Sequence, residues 1–353
     1  MDCTLIIPIH NRIELITHLL GSLRQFEGEI IFIINDICDS NIFRLINSYK
    51  KNNNKVKVIK LDDTLPYSKV CNIAAKEATG KYLILINSDV LISQQSALAL
   101  LKSIDSNKKI GAVQGLLLYP QNYTIQSAGH LFYEYNNYHA LKGNNTNYNL
   151  KPKLRQALTS AYYCVRSDMY QYLGGMDEFY HNAYDGMELS LRITREGYKC
   201  YCISEARAFH FQGLARNTAL LQSIPDAGRF WSEHGSFIEN DAFNEIKEQV
   251  NKNELKTFNQ IVNSSNIRDI DMFMDNVFNR HIQVTTIIDN LQSNVIIANN
   301  LPSSFLNTHN NIIWLTTHFS QIINNKKTFE DYNRKNDIII DLHSNILFVK
   351  DLL

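Results

Sequence analysis

The chain has 353 residues, with 35 basic and 35 acidic side chains and a net charge of +0. That length exceeds what one core usually fills, so two domains or one large one are expected. With 44% hydrophobic and 20% charged residues the composition is that of an ordinary globular protein, and the balanced charge gives no electrostatic reason to expect nucleic acid or an anionic membrane as the main partner. Six cysteines at 3, 38, 71, 164, 200 and 202 form no CxxC pair. They read as reduced thiols of a cytosolic protein, neither a disulfide frame nor a zinc site. The start, MDCTLIIPIHNR, enters a strand at once and shows no secretory signal. No apolar run reaches the roughly 20 residues that a membrane span needs.

Thr4 to Ile9 is a first all-apolar run and reads as a strand buried on both faces. A helical pattern follows from about Glu14 to Gln25, with Leu15, Leu19, Leu20 and Leu23 on one side. Glu29 to Ile34 is a second strand, ending in Asn35-Asp36. Asn41 to Lys51 is a helix, Val56 to Leu61 a third strand, and Ser68 to Ala78 a helix for which Thr79-Gly80 reads as the C-cap. The next stretch, KYLILINSDVLIS from Lys81, carries a fourth apolar strand that ends in Asn87-Ser88-Asp89. Alternating strands and helices predict right-handed crossovers and a doubly wound sheet. Ligands of such sheets bind beyond the carboxyl ends of the strands. His10 to Arg12, Asn35-Asp36 and Asn87 to Asp89 should therefore converge on one edge. By themselves these polar letters equally suit turns and helix caps.

Two familiar uses of such an edge are missing. No GxGxxG follows a strand and no GxxxxGK[ST] occurs, so neither a dinucleotide site nor a P-loop is supported. The first strand runs instead into Pro-Ile-His-Asn-Arg, which also argues against the sugar-phosphate nucleotidyltransferases, whose loop there is glycine-rich.

LIIPIHNR resembles the opening of glycosyltransferase family 2 enzymes of the GT-A fold, and Lys81 to Val90 is similar to their strand ending in a metal-binding Asp-x-Asp, with Asn87 at the first position. Leu65 to Asn72 resembles the family's loop-to-helix segment. Gly111 to Pro120 and Thr124 to Gly129 look like segments of bacterial capsule and O-antigen glycosyltransferases. Gly174 to Glu178 and Glu188 to Arg192 resemble the acceptor side, and Ala208 to Arg216 the closing loop with its His. The resemblance spans about residues 4 to 235 and implies a GT-A doubly wound mixed sheet over residues 1–235.

The resemblance also implies roles. Mn²⁺ or Mg²⁺ would bridge Asp89 and a nucleotide diphosphate, with His210 as a further metal ligand or phosphate donor; oxygen ligands suit both ions. Asn87 and Ser88 would face the diphosphate or ribose, and Asn35 and Asp36 the base and ribose. Pro8, Asn11 and Arg12 would shape and charge the nucleotide pocket, with Ser68 and Asn72 on its loop-to-helix wall. The family's acceptor segment carries its base Asp where Gly186 stands here. Asp185, adjacent to it, is the base candidate, and Glu188 matches a later acid, for which an i,i+4 pair with Arg192 is the structural alternative. The expected activity is inverting hexosyl transfer from a UDP-sugar to a glycan or glycoconjugate acceptor during polysaccharide biosynthesis. A cytoplasmic location with peripheral membrane contact left open goes with it. Two rivals stay open: a nucleotide-sugar or glycan binder that has lost catalysis, motivated by Gly186, and a scaffold.

Past Gly235 the resemblance fades. Asp241 to Val262 and Asp269 to Arg280 read as helices. The apolar runs from Val284, Asn294, Asn311 and Asp337, with the closing ILFVKDLL, predict a smaller α/β region within residues 236–353. Acceptor binding, oligomerisation and membrane docking are all open for it.

Overall fold

The computed structural model of the chain describes residues 1–9, 12–35, 39–133, 135–143, 146, 151–181, 183–211, 219–239, 241, 260–263, 283–285, 294–298, 311–316, 326–335, 337–341 and 346–348. These fall into two compact units, one of residues 1–130 and 145–238, the other of residues 131–144 and 239–353.

The first unit begins β1 (Cys3–Ile9), α1 (Ile13–Ser22), β2 (Glu29–Ile34), α2 (Ser40–Lys51), β3 (Val56–Lys60), α3 (Tyr67–Lys76) and β4 (Tyr82–Ile86). β1 is buried along its whole length, as a strand covered by helices on both faces must be. It pairs in parallel with β2 on one side and β4 on the other, and β3 continues the sheet beyond β2. Pairing with β4 stops at Ile6, so Pro8, which has no N–H to give, lies where β1 has only β2 as a neighbour. α3 ends at Lys76, earlier than the sequence suggests. Gly80 is no helix cap: a Cβ there would lie 2.5 Å from the carbonyl carbon of Cys3, so the glycine is required by the close approach of β1.

The chain continues through β5 (Val90–Ile92), α4 (Gln94–Asp105), β6 (Ile110–Leu118), β7 (Ile125–Ser127), a two-stranded hairpin of β8 (His130–Tyr133) and β9 (Asn136–His139), then β10 (Lys153–Arg155), β11 (Tyr162–Arg166), α5 (Ser167–Tyr172), α6 (Asp185–Arg195), β12 (Lys199–His210) and α7 (Ala219–His234). The large sheet runs β10-β12-β6-β11-β4-β1-β2-β3, with β5 against β12 and β7 against β6. β11 is antiparallel to both of its neighbours, so the sheet is mixed, as expected. The five described cysteines are all buried, and none of them is in a disulfide.

β12 decides where the candidate site lies. It runs parallel to β6, and its register shifts between Ile203 and Arg207. Its last residues, Ala208 to His210, also pair antiparallel with β5, which sets His210 opposite Val90. The residue before Val90 is Asp89.

The second unit contains β13 (Gln260–Asn263), β14 (Gln283–Thr285), β15 (Asn294–Ala298), β16 (Asn311–Thr316), α8 (Lys326–Asp331), β17 (Ile338–Asp341) and β18 (Ile346–Phe348). Its sheet has the order β14-β13-β15-β16-β17-β18, parallel throughout except for β18. The smaller α/β region is thus present. The helix expected over 241–262 is corrected at its end, because Gln260–Asn263 is a strand paired on both edges by parallel neighbours. The helix expected over 269–280 lies outside the described residues. Within this unit Arg334 grips Asp337 through Nε and Nη2 at 2.9 and 2.7 Å, and the Trp314 indole donates to the same carboxylate at 2.9 Å.

Candidate functional site

β4 ends in a tight turn. The Asn87 amide donates to the Ala161 carbonyl at 3.2 Å, and the Val90 amide returns to the Asn87 carbonyl at 3.1 Å. Asn87 is half-buried, while Ser88 and Asp89 are buried. The Asp89 carbonyl accepts from the Phe211 amide at 3.0 Å, which ties the turn to the end of β12. His210 Nε2 lies 3.3 Å from Asp89 Oδ1. Both side chains are about nine-tenths buried, at 10% and 9% exposure. A carboxylate oxygen and an imidazole nitrogen thus converge at the carboxyl end of the sheet, brought there from two distant strands. Among the described residues, no group of three His, Cys, Asp or Glu side chains gathers as a metal site.

Asp185 stands at the same end of the sheet. It is the first residue of α6, buried, and preceded by Tyr184 in the left-handed region at φ 66°. Ser160 Oγ donates to Asp185 Oδ1 at 2.6 Å, and the Gly186 amide donates to the same oxygen at 2.6 Å. Ser160 directly precedes Ala161, which receives the Asn87 amide, so one short segment carries both contacts. The helix N-terminus and two donors favour the ionised carboxylate. The Tyr67 hydroxyl donates to the Ser160 carbonyl at 3.3 Å. Burial pushes the Tyr67 phenol well up, with the nearby Cys71 and Asp185 adding to the shift.

With this geometry described, relatives can be compared. Residues 4–160 match the profile of the family described as "Glycosyl transferase family 2". These residues are a glycosyltransferase family 2 domain. Over 248 residues the chain is 26% identical to the O-antigen biosynthesis protein RfbC of Myxococcus xanthus, covering 66% of this chain and 19% of that protein. It is 22% identical over 233 residues to the uncharacterized protein y4gI of Sinorhizobium fredii (strain NBRC 101917 / NGR234), covering 60% of this chain and 25% of that one. The chain therefore spans about a fifth to a quarter of the curated relatives it matches. Among solved structures, GalNAc-T7 with UDP, GalNAc and Mn²⁺ aligns with a TM-score of 0.54 at 14% identity, over 78% of this chain and 54% of that one. That likeness concerns the fold, and the mixed sheet of this glycosyltransferase domain is a GT-A sheet.

The glycosyltransferase domain uses several of the sequence-selected residues for its own structure. Of the two readings of Glu188, an acid of the acceptor segment or an i,i+4 partner of Arg192, the pair is formed. Glu188 is gripped by Arg192, with Nε to Oε1 at 2.5 Å and Nη2 to Oε2 at 2.7 Å, while the same guanidinium donates to the Leu173 and Gly175 carbonyls, both at 2.8 Å. Burial pushes the Glu188 carboxyl up, and the Arg192 charge opposes that shift. Asn72 braces the fold. Its Nδ2 donates to the Met176 carbonyl and to Glu178 Oε1 at 2.9 and 3.1 Å. Its Oδ1 accepts from the Tyr170 hydroxyl and the Met176 amide at 2.7 and 2.9 Å. No amide proton is left for a nucleotide. Gly175, at φ 82°, lies against it, and a Cβ there would sit 2.3 Å from Asn72 Oδ1. Ser68 is fully buried and donates to the Tyr180 carbonyl at 2.8 Å. Asn35, 1% exposed, pairs both sides of its amide with the Leu65 backbone, at 2.8 and 2.9 Å. It holds the loop before α3 instead of facing a base.

Pro8 is buried in β1, and Arg12 is exposed just before α1 with φ 129°. Such a backbone conformation is costly for a non-glycine residue and clusters at functional sites. Asn11, Asp36 and the end of the His-containing loop, residues 212–216, lie outside the described residues. Three residues escaped the sequence reading. Gln126 and Ser160 touch His210 and Asp185 directly, and Tyr67 supports Ser160. Gln126 lay within a segment that carried the resemblance, yet nothing in its type marked it as different from a strand glutamine.

Proposed function

We propose that this chain is a metal-dependent glycosyltransferase that moves a hexose from a nucleotide-sugar, a UDP-sugar, to a glycan or glycoconjugate acceptor during surface-polysaccharide assembly. The observation that carries the reading is the convergence of Asp89 and His210. Their 3.3 Å separation is close to the roughly 3 Å between neighbouring ligand atoms around an octahedral cation with bonds of about 2.1 Å. The oxygen suits Mn²⁺ and Mg²⁺ alike, and the imidazole nitrogen tips the pair toward Mn²⁺. The family match over residues 4–160 and the name of the Myxococcus relative support the class of reaction and of product. UDP and Mn²⁺ in the GalNAc-T7 structure are in keeping with the donor.

When bound, the cation supplies neutralisation of the charge that develops on the leaving diphosphate. The chain's own residues do the rest. Asp89 and His210 would hold the ion, Asn87 and Ser88 would present the turn to the diphosphate and ribose, and Arg12 would add positive charge at the end of β1. Asp185 takes the proton of the acceptor hydroxyl as that oxygen attacks the anomeric carbon from the side opposite the diphosphate, so that the anomeric configuration inverts. Ser160 and the Gly186 amide fix one oxygen of this carboxylate. A positioned general base contributes about 10²- to 10⁴-fold in rate.

A second reading is favoured by Gly186: a binder that holds nucleotide and metal but transfers nothing. The two readings part on turnover, whereas both require the donor site. The test of that site is thermal stability with UDP, GDP, CDP and dTDP, each with Mn²⁺ and with a chelator. A ligand bound only by the folded state at 100 times its Kd adds about 2.7 kcal/mol. A metal-dependent stabilisation by UDP is expected; no stabilisation by any of the four nucleotides refutes the donor site.

A further inference from the structure

We propose that Gln126 is a positioning residue that keeps a proton on His210 Nδ1 and turns Nε2 toward Asp89. The inference deepens the metal-site reading above and rests on it for its consequence, though not for its geometry.

Gln126 is buried in β7, with 2% of its surface exposed. β7 runs antiparallel to β6 with an irregularity between Leu117 and Leu118: Leu117 faces Ser127 and Leu118 faces Ile125, so Gln126 is the extra residue of a bulge. Bulges re-aim side chains and recur beside active sites. Here the bulge sends Gln126 toward the end of β12. Its Nε2 donates to the His210 backbone carbonyl at 3.2 Å, and its Oε1 lies 2.6 Å from His210 Nδ1.

These two contacts determine the protons. A backbone carbonyl can only accept, so the amide must turn its NH₂ toward it. The amide oxygen then faces Nδ1, and it too can only accept. Nδ1 must therefore carry the proton and donate it. In the neutral ring that leaves Nε2 bare, and Nε2 is the atom 3.3 Å from Asp89 Oδ1. A positive charge between the two, either a proton on Nε2 or a cation, relieves the repulsion of lone-pair atoms at this distance. Gln126 thus makes Nε2, and not Nδ1, the ring nitrogen offered to Asp89 and to a cation. Groups that orient a metal-binding histidine through its other ring nitrogen are typically worth about 10- to 100-fold in metal affinity.

The experiment uses the full chain. Nitrogen-15 NMR of the imidazole, assigned with His210→Gln, reads the tautomer without metal, and electron paramagnetic resonance titration reads Mn²⁺ affinity. In the wild type, His210 is expected to carry a proton on Nδ1. Gln126→Leu, which can neither accept nor donate, should mix the tautomers and weaken Mn²⁺ by about 10- to 100-fold. Gln126→Glu, which still accepts from Nδ1–H, should restore the tautomer and most of the affinity. A wild-type His210 carrying its proton on Nε2 alone overturns the proposal, as does a Gln126→Leu protein with unchanged tautomer and affinity. Should Gln126→Leu not fold, the wild-type tautomer and Gln126→Glu still decide it. If the wild type shows the Nδ1–H form, lost in Gln126→Leu, but binds no Mn²⁺, the positioning role stands and the metal-site reading fails.

Discussion

Replacing Gly186 by alanine should destabilise the protein, although the glycine lies inside a helix where alanine is normally the better residue. A Cβ at 186 would come 2.5 Å from the Ser160 amide nitrogen and 3.0 Å from the Leu158 carbonyl oxygen and the Ser160 Cα. Such atoms settle at about 3.5 Å, so the segment would have to retreat by about 1 Å. It is not free to do so. The Thr159 amide is bonded to Gln114 Oε1 at 2.8 Å, the Leu158 amide to Ser190 Oγ at 3.2 Å, and Ser160 Oγ to Asp185. Overpacking costs about 1–3 kcal/mol, and each weakened hydrogen bond adds about 1 kcal/mol. Against this, alanine gains about 1 kcal/mol of helix propensity. The net loss is about 2 kcal/mol, or roughly 4–8 °C in Tm for a unit of this size. The control is Gly21→Ala in α1, where an added Cβ meets nothing within 4 Å and stability should rise by about 0.5–1 kcal/mol. Calorimetry of the two variants beside the wild type gives the comparison. A Gly186→Ala protein with an equal or higher Tm would refute the close-approach argument. The same geometry means that Gly186→Asp cannot place the family's usual carboxylate here without moving residues 158–160, so the base candidate falls to Asp185.

Asp89→Ala should abolish Mn²⁺-dependent UDP binding in calorimetry while leaving the fold intact; wild-type affinity would remove Asp89 from the metal site. Asp185→Asn should lower kcat by about 10²- to 10⁴-fold with nearly unchanged donor affinity, and wild-type turnover would exclude it as the base. Arg192→Met strands Glu188, 3% exposed, and should cost about 3–5 kcal/mol in denaturant unfolding; the double variant with Glu188→Leu should recover most of that. His234 is 3% exposed, with no hydrogen-bond partner on either ring nitrogen, and burial lowers its pKa from 6.5 to about 4. The folded state therefore keeps His234 neutral while the unfolded chain takes up a proton below about pH 6.5. Its contribution to stability is present above that pH and is lost at up to about 1.4 kcal/mol per pH unit on acidification toward 4. His234→Phe, packed at a tilt against Phe230 as the imidazole is, should flatten that dependence between about pH 6.5 and 4.5. An unchanged slope would show that another group controls it.

The order and kind of the strands were legible because a strand buried on both faces must be apolar along its length, and β1, β2 and β4 are. Asp89 was visible for the complementary reason, since a carboxylate directly after such a run has to be placed somewhere, and the sheet's carboxyl edge is where ligands bind. What sequence could not separate was a polar residue that meets a ligand from one that meets its own backbone. Asn35 and Asn72 look alike at that level, and both are spent on partners 30 and 104 residues away. Glu188 and Asp185 are three positions apart on one helix, yet one is neutralised by Arg192 and the other is held by Ser160. The family resemblance named His210 beside Asp89, but what brings them together is tertiary: the register shift in β12 and its pairing with β5. Gln126 owes its role to a bulge, which is a property of strand pairing between distant segments. Local composition determines which segments bury; the pairing of those segments determines which polar groups face each other, and the chemistry of the site resides there.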